Sequence, residues 1–204
     1  DTDEYITQVD LDTLYTLIEQ NPKGVGELLR MDYFDANGRR NVQEVRITRL
    51  YNRNYYTFDR PIHENIVPLR NVSFYSYNIP IVADHDGYLG TKEELDQKAL
   101  RDIALLEQEL ATSPNDPYVL FQLGQSYLLM RNEKKALFYL RQAVTNNPPI
   151  ENDYTRILVK NYGEMLLTSD CLDEAKNLLN FYQAYENNAD YLCMIGKLYV
   201  QLNE

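Results

Sequence analysis

The spacing of apolar positions changes from helical to alternating and back along this chain, and those changes predict its elements. From Thr7 to Gln20, Leu11, Leu14, Leu17 and Ile18 make one apolar stripe. Thr7 and Asp10 stand three apart as a capping-box-like start, and Asn21-Pro22-Lys23-Gly24 stops the helix. Two strand-like runs come next, Glu27 to Phe34 and Val42 to Tyr51, joined through Asn37-Gly38, a strong hairpin signal. A segment from Tyr55 to Leu69 contains Phe58-Asp59-Arg60-Pro61-Ile62-His63-Glu64. An apolar strand, Asn78 to Ala83, then leads into Asp84-His85-Asp86-Gly87-Tyr88. Thr91 and Glu94 form a second capping box. It opens a helix to about Thr112, with Leu95, Ala99, Leu106 and Leu110 on one face.

Beyond Pro117 the pattern is helical throughout. Leu120, Leu123, Gly124, Tyr127, Ala136, Leu140, Ala143 and Pro148 fall at the offsets of a tetratricopeptide repeat, in which two antiparallel helices meet through small residues. Gly163 and Ala175, with Val159, Tyr162, Leu166 and Leu179, repeat the pattern less regularly. Tyr182 occupies a position where a small residue is usual. Leu192, Ile195, Gly196 and Tyr199 begin a third copy that stops after one helix. The first interval carries an insertion near Pro148 to Asp153. A lone first helix leaves half an apolar face uncovered, so the sequence is expected to be cut from a longer one.

Composition narrows the function. Lys and Arg number 20 against 31 Asp and Glu, for a formal net charge of −11. No basic block compensates, which disfavours bare nucleic acid and anionic membrane as partners. No apolar run approaches the ~20 residues of a membrane span, and no signal peptide is visible. A cytoplasmic location is the default expectation. Cys171 and Cys193 are read as free buried thiols, a bridge between them being the alternative.

Candidate chemistry lies in the N-terminal part. Asp1 and Asp3, two apart in an extended segment, can present carboxylate oxygens to one hard cation such as Mg²⁺ or Mn²⁺. The chain's two histidines, His63 and His85, are both expected to follow strands. Each adjoins an acid, Glu64 for the first and Asp84 and Asp86 for the second. Arg46, Arg49 and Arg60 could pair bidentately with phosphate, or serve as ordinary surface or cross-strand ion pairs. Tyr55, Tyr56 and Phe58 could stack on a sugar ring, or belong to the core.

Taken in order, Asp1-Thr2-Asp3-Glu4, Arg46-Ile47-Thr48-Arg49-Leu50, Ile62-His63-Glu64, His85-Asp86-Gly87-Tyr88 and the helical repeats resemble bacterial family-2 glycosyltransferases, in particular those with a C-terminal repeat domain. The resemblance implies a fold class: an α+β N-terminal part, the C-terminal half of a type A glycosyltransferase α/β domain, followed by an all-α tetratricopeptide solenoid. Residues 1–90 would be the catalytic portion, 91–115 a connecting helix, and 116–204 about two and a half repeats. It also implies a nucleotide-sugar donor and a divalent metal (Mn or Mg) on its diphosphate. Asp1, Asp3 and His85 would hold that metal, with His63 as the alternative ligand, and Arg46, Arg49 and Arg60 would face the phosphates. Glu64 would be the base that takes a proton from the acceptor hydroxyl. The acceptor, a protein, peptide or glycan, would be recruited by the repeats. The family's nucleotide-binding βαβ half precedes the Asp-x-Asp motif and is absent here, so the isolated segment is expected to be inactive. The competing reading is a non-catalytic scaffold or adaptor that mediates protein–protein interaction.

Overall fold

Tyr5, Ile6, Thr7 and Val9 put aromatic and β-branched residues in a run that suits a strand better than a helix start. In the computed structural model, which describes residues 3–36, 38–60, 65–69 and 71–202, they form strand β1, Glu4–Val9. The expected helix therefore begins later, as α1, Leu11–Gln20. Asp10 is its cap: one carboxylate oxygen accepts from the Thr13 N–H at 3.1 Å and the other from the Thr13 hydroxyl at 2.7 Å. Thr7 instead donates its hydroxyl to the Val82 carbonyl on a neighbouring strand.

The chain divides into two compact units, Asp1–Leu95 and Asp96–Glu204. In the first, β2 (Val25–Ala36) and β3 (Arg39–Leu50) form an antiparallel hairpin with Ala36 opposite Arg39. Gly38 closes it with a positive φ of 72°, which glycine adopts without a Cβ clash. Asn37 lies outside the described residues. A smaller hairpin pairs β4 (Tyr56–Asp59) with β5 (Asn65–Pro68). Strand β6, Ser76–Tyr88, runs antiparallel to β1 and parallel to β2, giving a four-stranded sheet in the order β1-β6-β2-β3. His85 thus lies within a strand rather than after one, because β1 and β2 both keep pairing with β6 beyond Ala83. Leu28, Ile79 and Ala83 form the sheet's buried core, with Leu14, Ile47, Leu50, Tyr77 and Ile81 packed on it.

Thr91 and Glu94 close their capping box reciprocally. The Thr91 N–H donates to Glu94 at 2.8 Å and the Glu94 N–H donates to the Thr91 hydroxyl at 3.3 Å, opening α2, Lys92–Thr112. In the second unit, Asp116 caps α3 (Pro117–Leu129) and Asn132 caps α4 (Glu133–Thr145). The two helices close over buried Leu120, Leu123, Tyr127, Ala136, Leu140 and Ala143. A Cβ on Gly124 would stand 2.5 Å from the Leu140 Cδ2 atom, so this crossing needs glycine. Then comes α5, Asp153–Thr168. Arg141 of α4 grips the Glu174 carboxylate with two bonds, 2.6 and 2.8 Å, and the Tyr162 hydroxyl of α5 donates to the same group.

The fold-class expectation is corrected here. The chain is a mixed α/β protein with a sheet and helices, not an α+β part followed by an all-α solenoid. After α5 the regular helical alternation fails. Residues that should form one return helix break into α6 (Leu172–Ala175), a 3-10 stretch (Lys176–Phe181) and α7 (Tyr182–Tyr185) before α8 (Ala189–Leu202). Asn177 and Asn180 weaken the helix locally, and Tyr182 is turned out to solvent instead of entering a close helix crossing. Both cysteines are free, but Cys193 is exposed and Cys171 half-buried, so neither is the buried thiol expected.

Candidate active site on the sheet

Pairing across β1, β6 and β2 sets three residues in one row. Glu4 is opposite His85, and His85 is opposite Asp32. Register partners on adjacent strands project to the same side, so the row gathers an acid, an imidazole and an acid. Arg30 lies two residues before Asp32 and therefore shares its face. The row is largely closed to water: Asp32 is 5% exposed and His85 6%.

His85 is held from both ends of its ring. Its Nδ1 lies 3.0 Å from Asp32 Oδ1, and its Nε2 lies 3.7 Å from Asp3 Oδ2. The Asp86 N–H donates to the Asp3 carbonyl at 3.1 Å, which fixes the start of β1 beside the end of β6. Tyr88 sets its ring edge-on to the imidazole at a centroid distance of 4.9 Å.

Two arginines order the carboxylates. Arg30 donates through Nε and Nη2 to the two oxygens of Asp32, at 2.5 and 3.0 Å, and reaches Glu4 through Nη1 at 3.5 Å. Arg49 forks onto Glu4 with two bonds of 2.9 Å. Burial would raise the Glu4 carboxyl. The hydrogen bonds and charge of Arg49, joined by Arg30, outweigh it and hold Glu4 below the usual carboxylate range. For Arg30 burial acts downward, but the hydrogen bond and charge of Asp32 raise it above the usual guanidinium value.

The chain is similar to two curated glycosyltransferases. One is the SPbeta prophage-derived glycosyltransferase SunS of Bacillus subtilis (strain 168), 23% identical over 157 residues. The other is glycosyltransferase SunS of Bacillus phage SPbeta, with the same identity over the same length. Each match covers 71% of this chain but only 36% of the relative, so the chain spans about a third of the proteins it matches. No protein-family model matches it.

Of the residues singled out in the sequence, the fold brings Asp3 and His85 together. Asp1, His63 and Glu64 lie outside the described residues. Arg49 joins the cluster, but its fork is closed on Glu4 rather than open toward a phosphate. Arg46 pairs with Leu29, one position out of step with the Arg30–Val45 pair, and so emerges on the opposite face from Arg30. Arg60 comes just after β4 in a left-handed conformation, φ 64°, beside undescribed residues. Tyr56 is a core residue, 1% exposed, whose hydroxyl donates to the Lys23 carbonyl at 2.6 Å, so it offers no face to a sugar. Phe58 is exposed and packs edge-on against Tyr51.

Asp32, Glu4 and Arg30 are the residues that reading the sequence missed as site members. A signal existed. Arg30 and Asp32 stand two apart inside a strand otherwise rich in Leu, Met, Tyr and Phe, so both charges fall on one face. Charges in such a position survive only when paired. Among the described residues, no group of three or more acidic, histidine or cysteine side chains is arranged to hold an ion. No helix among them is long and apolar enough to cross a membrane.

Proposed function

We propose that this chain carries the diphosphate-binding side of a nucleotide-sugar-dependent glycosyltransferase of the family-2 kind. The observation that carries the reading is the approach of His85 Nε2, on an interior strand of the sheet, to Asp3, the second acid of the Asp-x-Asp pair. The likeness to two proteins named glycosyltransferases supports it.

Asp3 and His85 are two donors of the kind a small divalent cation takes, with its other positions left to groups beyond them. Mg²⁺ typically takes one or two protein carboxylates and leaves its remaining positions to water and substrate phosphates. Asp3 and His85, with Asp1 before them, would hold Mn²⁺ or Mg²⁺, and that ion would supply Lewis-acid stabilisation of the departing nucleotide diphosphate. Asp32 keeps the His85 ring in place, and Arg30 keeps Asp32 in place. Glu64 would accept the proton of the acceptor hydroxyl as it attacks the anomeric carbon. The acceptor, a protein, peptide or glycan, would meet the helical unit of the chain.

Titration calorimetry of the full-length protein, with the nucleotide-binding half included, against Mn²⁺ and a panel of nucleotide sugars tests the reading. Expected is nucleotide-sugar binding that chelator abolishes, weakened at least ~10-fold by Asp3→Asn and by His85→Gln. Silence across the panel, with a folded protein, would favour a non-catalytic binding module and end the transferase reading.

A further inference from the structure

The geometry points to Asp32 as a positioning residue: it fixes the tautomer of His85, so that Nδ1 carries the proton and the lone pair of Nε2 faces Asp3. This inference rests on the proposed reading of His85 as a metal ligand, and adds the group that makes it competent.

Arg30 settles the state of Asp32. A guanidinium offers donors only, and its two bonds to Asp32 at 2.5 and 3.0 Å engage both carboxylate oxygens. An ion-paired carboxylate is an acceptor without a proton to give. The 3.0 Å contact between Asp32 Oδ1 and His85 Nδ1 therefore places the hydrogen on Nδ1. Only the neutral ring can ligate a metal, and in it Nε2 is then left as the acceptor, 3.7 Å from Asp3 Oδ2. The opposite tautomer would set the Nδ1 lone pair against an Asp32 oxygen and turn a donor toward any incoming cation.

Two further contacts keep the ring from turning away. Tyr88 abuts it edge-on at 4.9 Å, and the Asp86 N–H tethers the adjoining backbone to Asp3. The outer end of the relay is Glu4, which Arg30 touches at 3.5 Å, so one arginine links the strand after the Asp-x-Asp pair to the group that orients the histidine. Carboxylates that fix a metal-binding histidine in this way typically contribute 10- to 100-fold in metal affinity. A purely structural Arg30–Asp32 pair would require no contact with His85 and would leave its tautomer free.

The tautomer can be read without any metal. In ¹⁵N-labelled protein, long-range ¹H–¹⁵N spectra separate protonated from unprotonated ring nitrogens. His63→Gln assigns the remaining signals to His85. We expect Nδ1 protonated and Nε2 unprotonated in the wild type. The reverse overturns the inference, and this measurement does not depend on any Asp32 variant folding. In Asp32→Ala the acceptor facing Nδ1 is removed, and the strict preference for the Nδ1–H tautomer should be lost while the backbone amide spectrum stays in place. An unchanged tautomer overturns the role. Mn²⁺ affinity should fall about 10- to 100-fold in the same variant. Equal affinity in both proteins also overturns it. A wild type that binds no Mn²⁺ would defeat the metal-ligand reading of His85, and the tautomer would still decide the role of Asp32.

Discussion

Arg49 closes its guanidinium fork on Glu4 with two hydrogen bonds of 2.9 Å, joining the two outermost strands of the four-stranded sheet. The acid is only 10% exposed and the arginine 40%, so the pair sits between a solvent-screened contact and a buried one. Removing Arg49 leaves Glu4 leaning on Arg30 alone. Arg49→Ala should cost about 1–2 kcal/mol in urea denaturation. A double-mutant cycle with Glu4→Gln should return a favourable coupling. Additive effects would show that the fork contributes nothing beyond its separate parts.

Acid should loosen the molecule through two carboxylates. Glu4 is held below its usual range by Arg49 and Arg30 against burial. Glu174 is held below it chiefly by the hydrogen bond from Arg141, with Tyr162 adding to it against burial. A depressed folded-state pKa means stability that is fully present above the unfolded carboxylate range, ~4.3, and lost as pH falls through the lower folded value. Urea midpoints should therefore hold steady near neutrality and fall below about pH 4. Glu174→Gln should start lower and show a flatter acid limb. An acid limb unchanged in slope would remove Glu174 from the account.

Gly124→Ala should destabilise the helical unit by about 1–3 kcal/mol, because the new methyl would stand 2.5 Å from Leu140 Cδ2 and 3.4 Å from the Leu140 backbone nitrogen. Leu140→Ala in the same background should recover part of the loss by making room. Thermal unfolding of the two single variants and the double variant decides it. A Gly124→Ala protein as stable as the wild type would mean the helices separate freely at this crossing.

Tyr191 is fully buried, and its hydroxyl donates to the Leu178 carbonyl at 2.8 Å. Burial pushes its pKa up to about 12. Tyr191→Phe leaves that carbonyl in the irregular 3-10 stretch without this donor, at a cost of about 1–3 kcal/mol. Alkaline titration followed by tyrosinate absorbance should show a late-ionising group near this value, and the variant should lack it.

Strands β2, β3 and β6, the Asn37-Gly38 hairpin signal and the Thr91–Glu94 cap were legible because each depends on neighbours in the chain, whereas β1, β4 and β5 were not read as strands. Alternation, turn chemistry and capping are local. The start of α1 was misplaced because Thr7 obeys a non-local partner, Val82, and a strand register outweighed a cap-like spacing. His85 was picked out for its proximity to acids in sequence. Its orienting acid, Asp32, sits 53 residues away and meets it only through the parallel pairing of β2 with β6. The solenoid expectation failed for a similar reason. Gly163 and Ala175 kept the right spacing, but spacing does not reveal whether Asn177, Asn180 and Tyr182 will let a helix continue.

Strand β6 has one neighbour running its own way and one running against it, and His85 needs both: Glu4 and Asp3 come from the antiparallel side, Asp32 from the parallel side. Losing or gaining one residue between Val82 and His85 would turn the imidazole to the far side of the sheet and strand both acids. This stretch should consequently tolerate changes of side chain far better than changes of length, and related chains that keep the chemistry should align there without gaps.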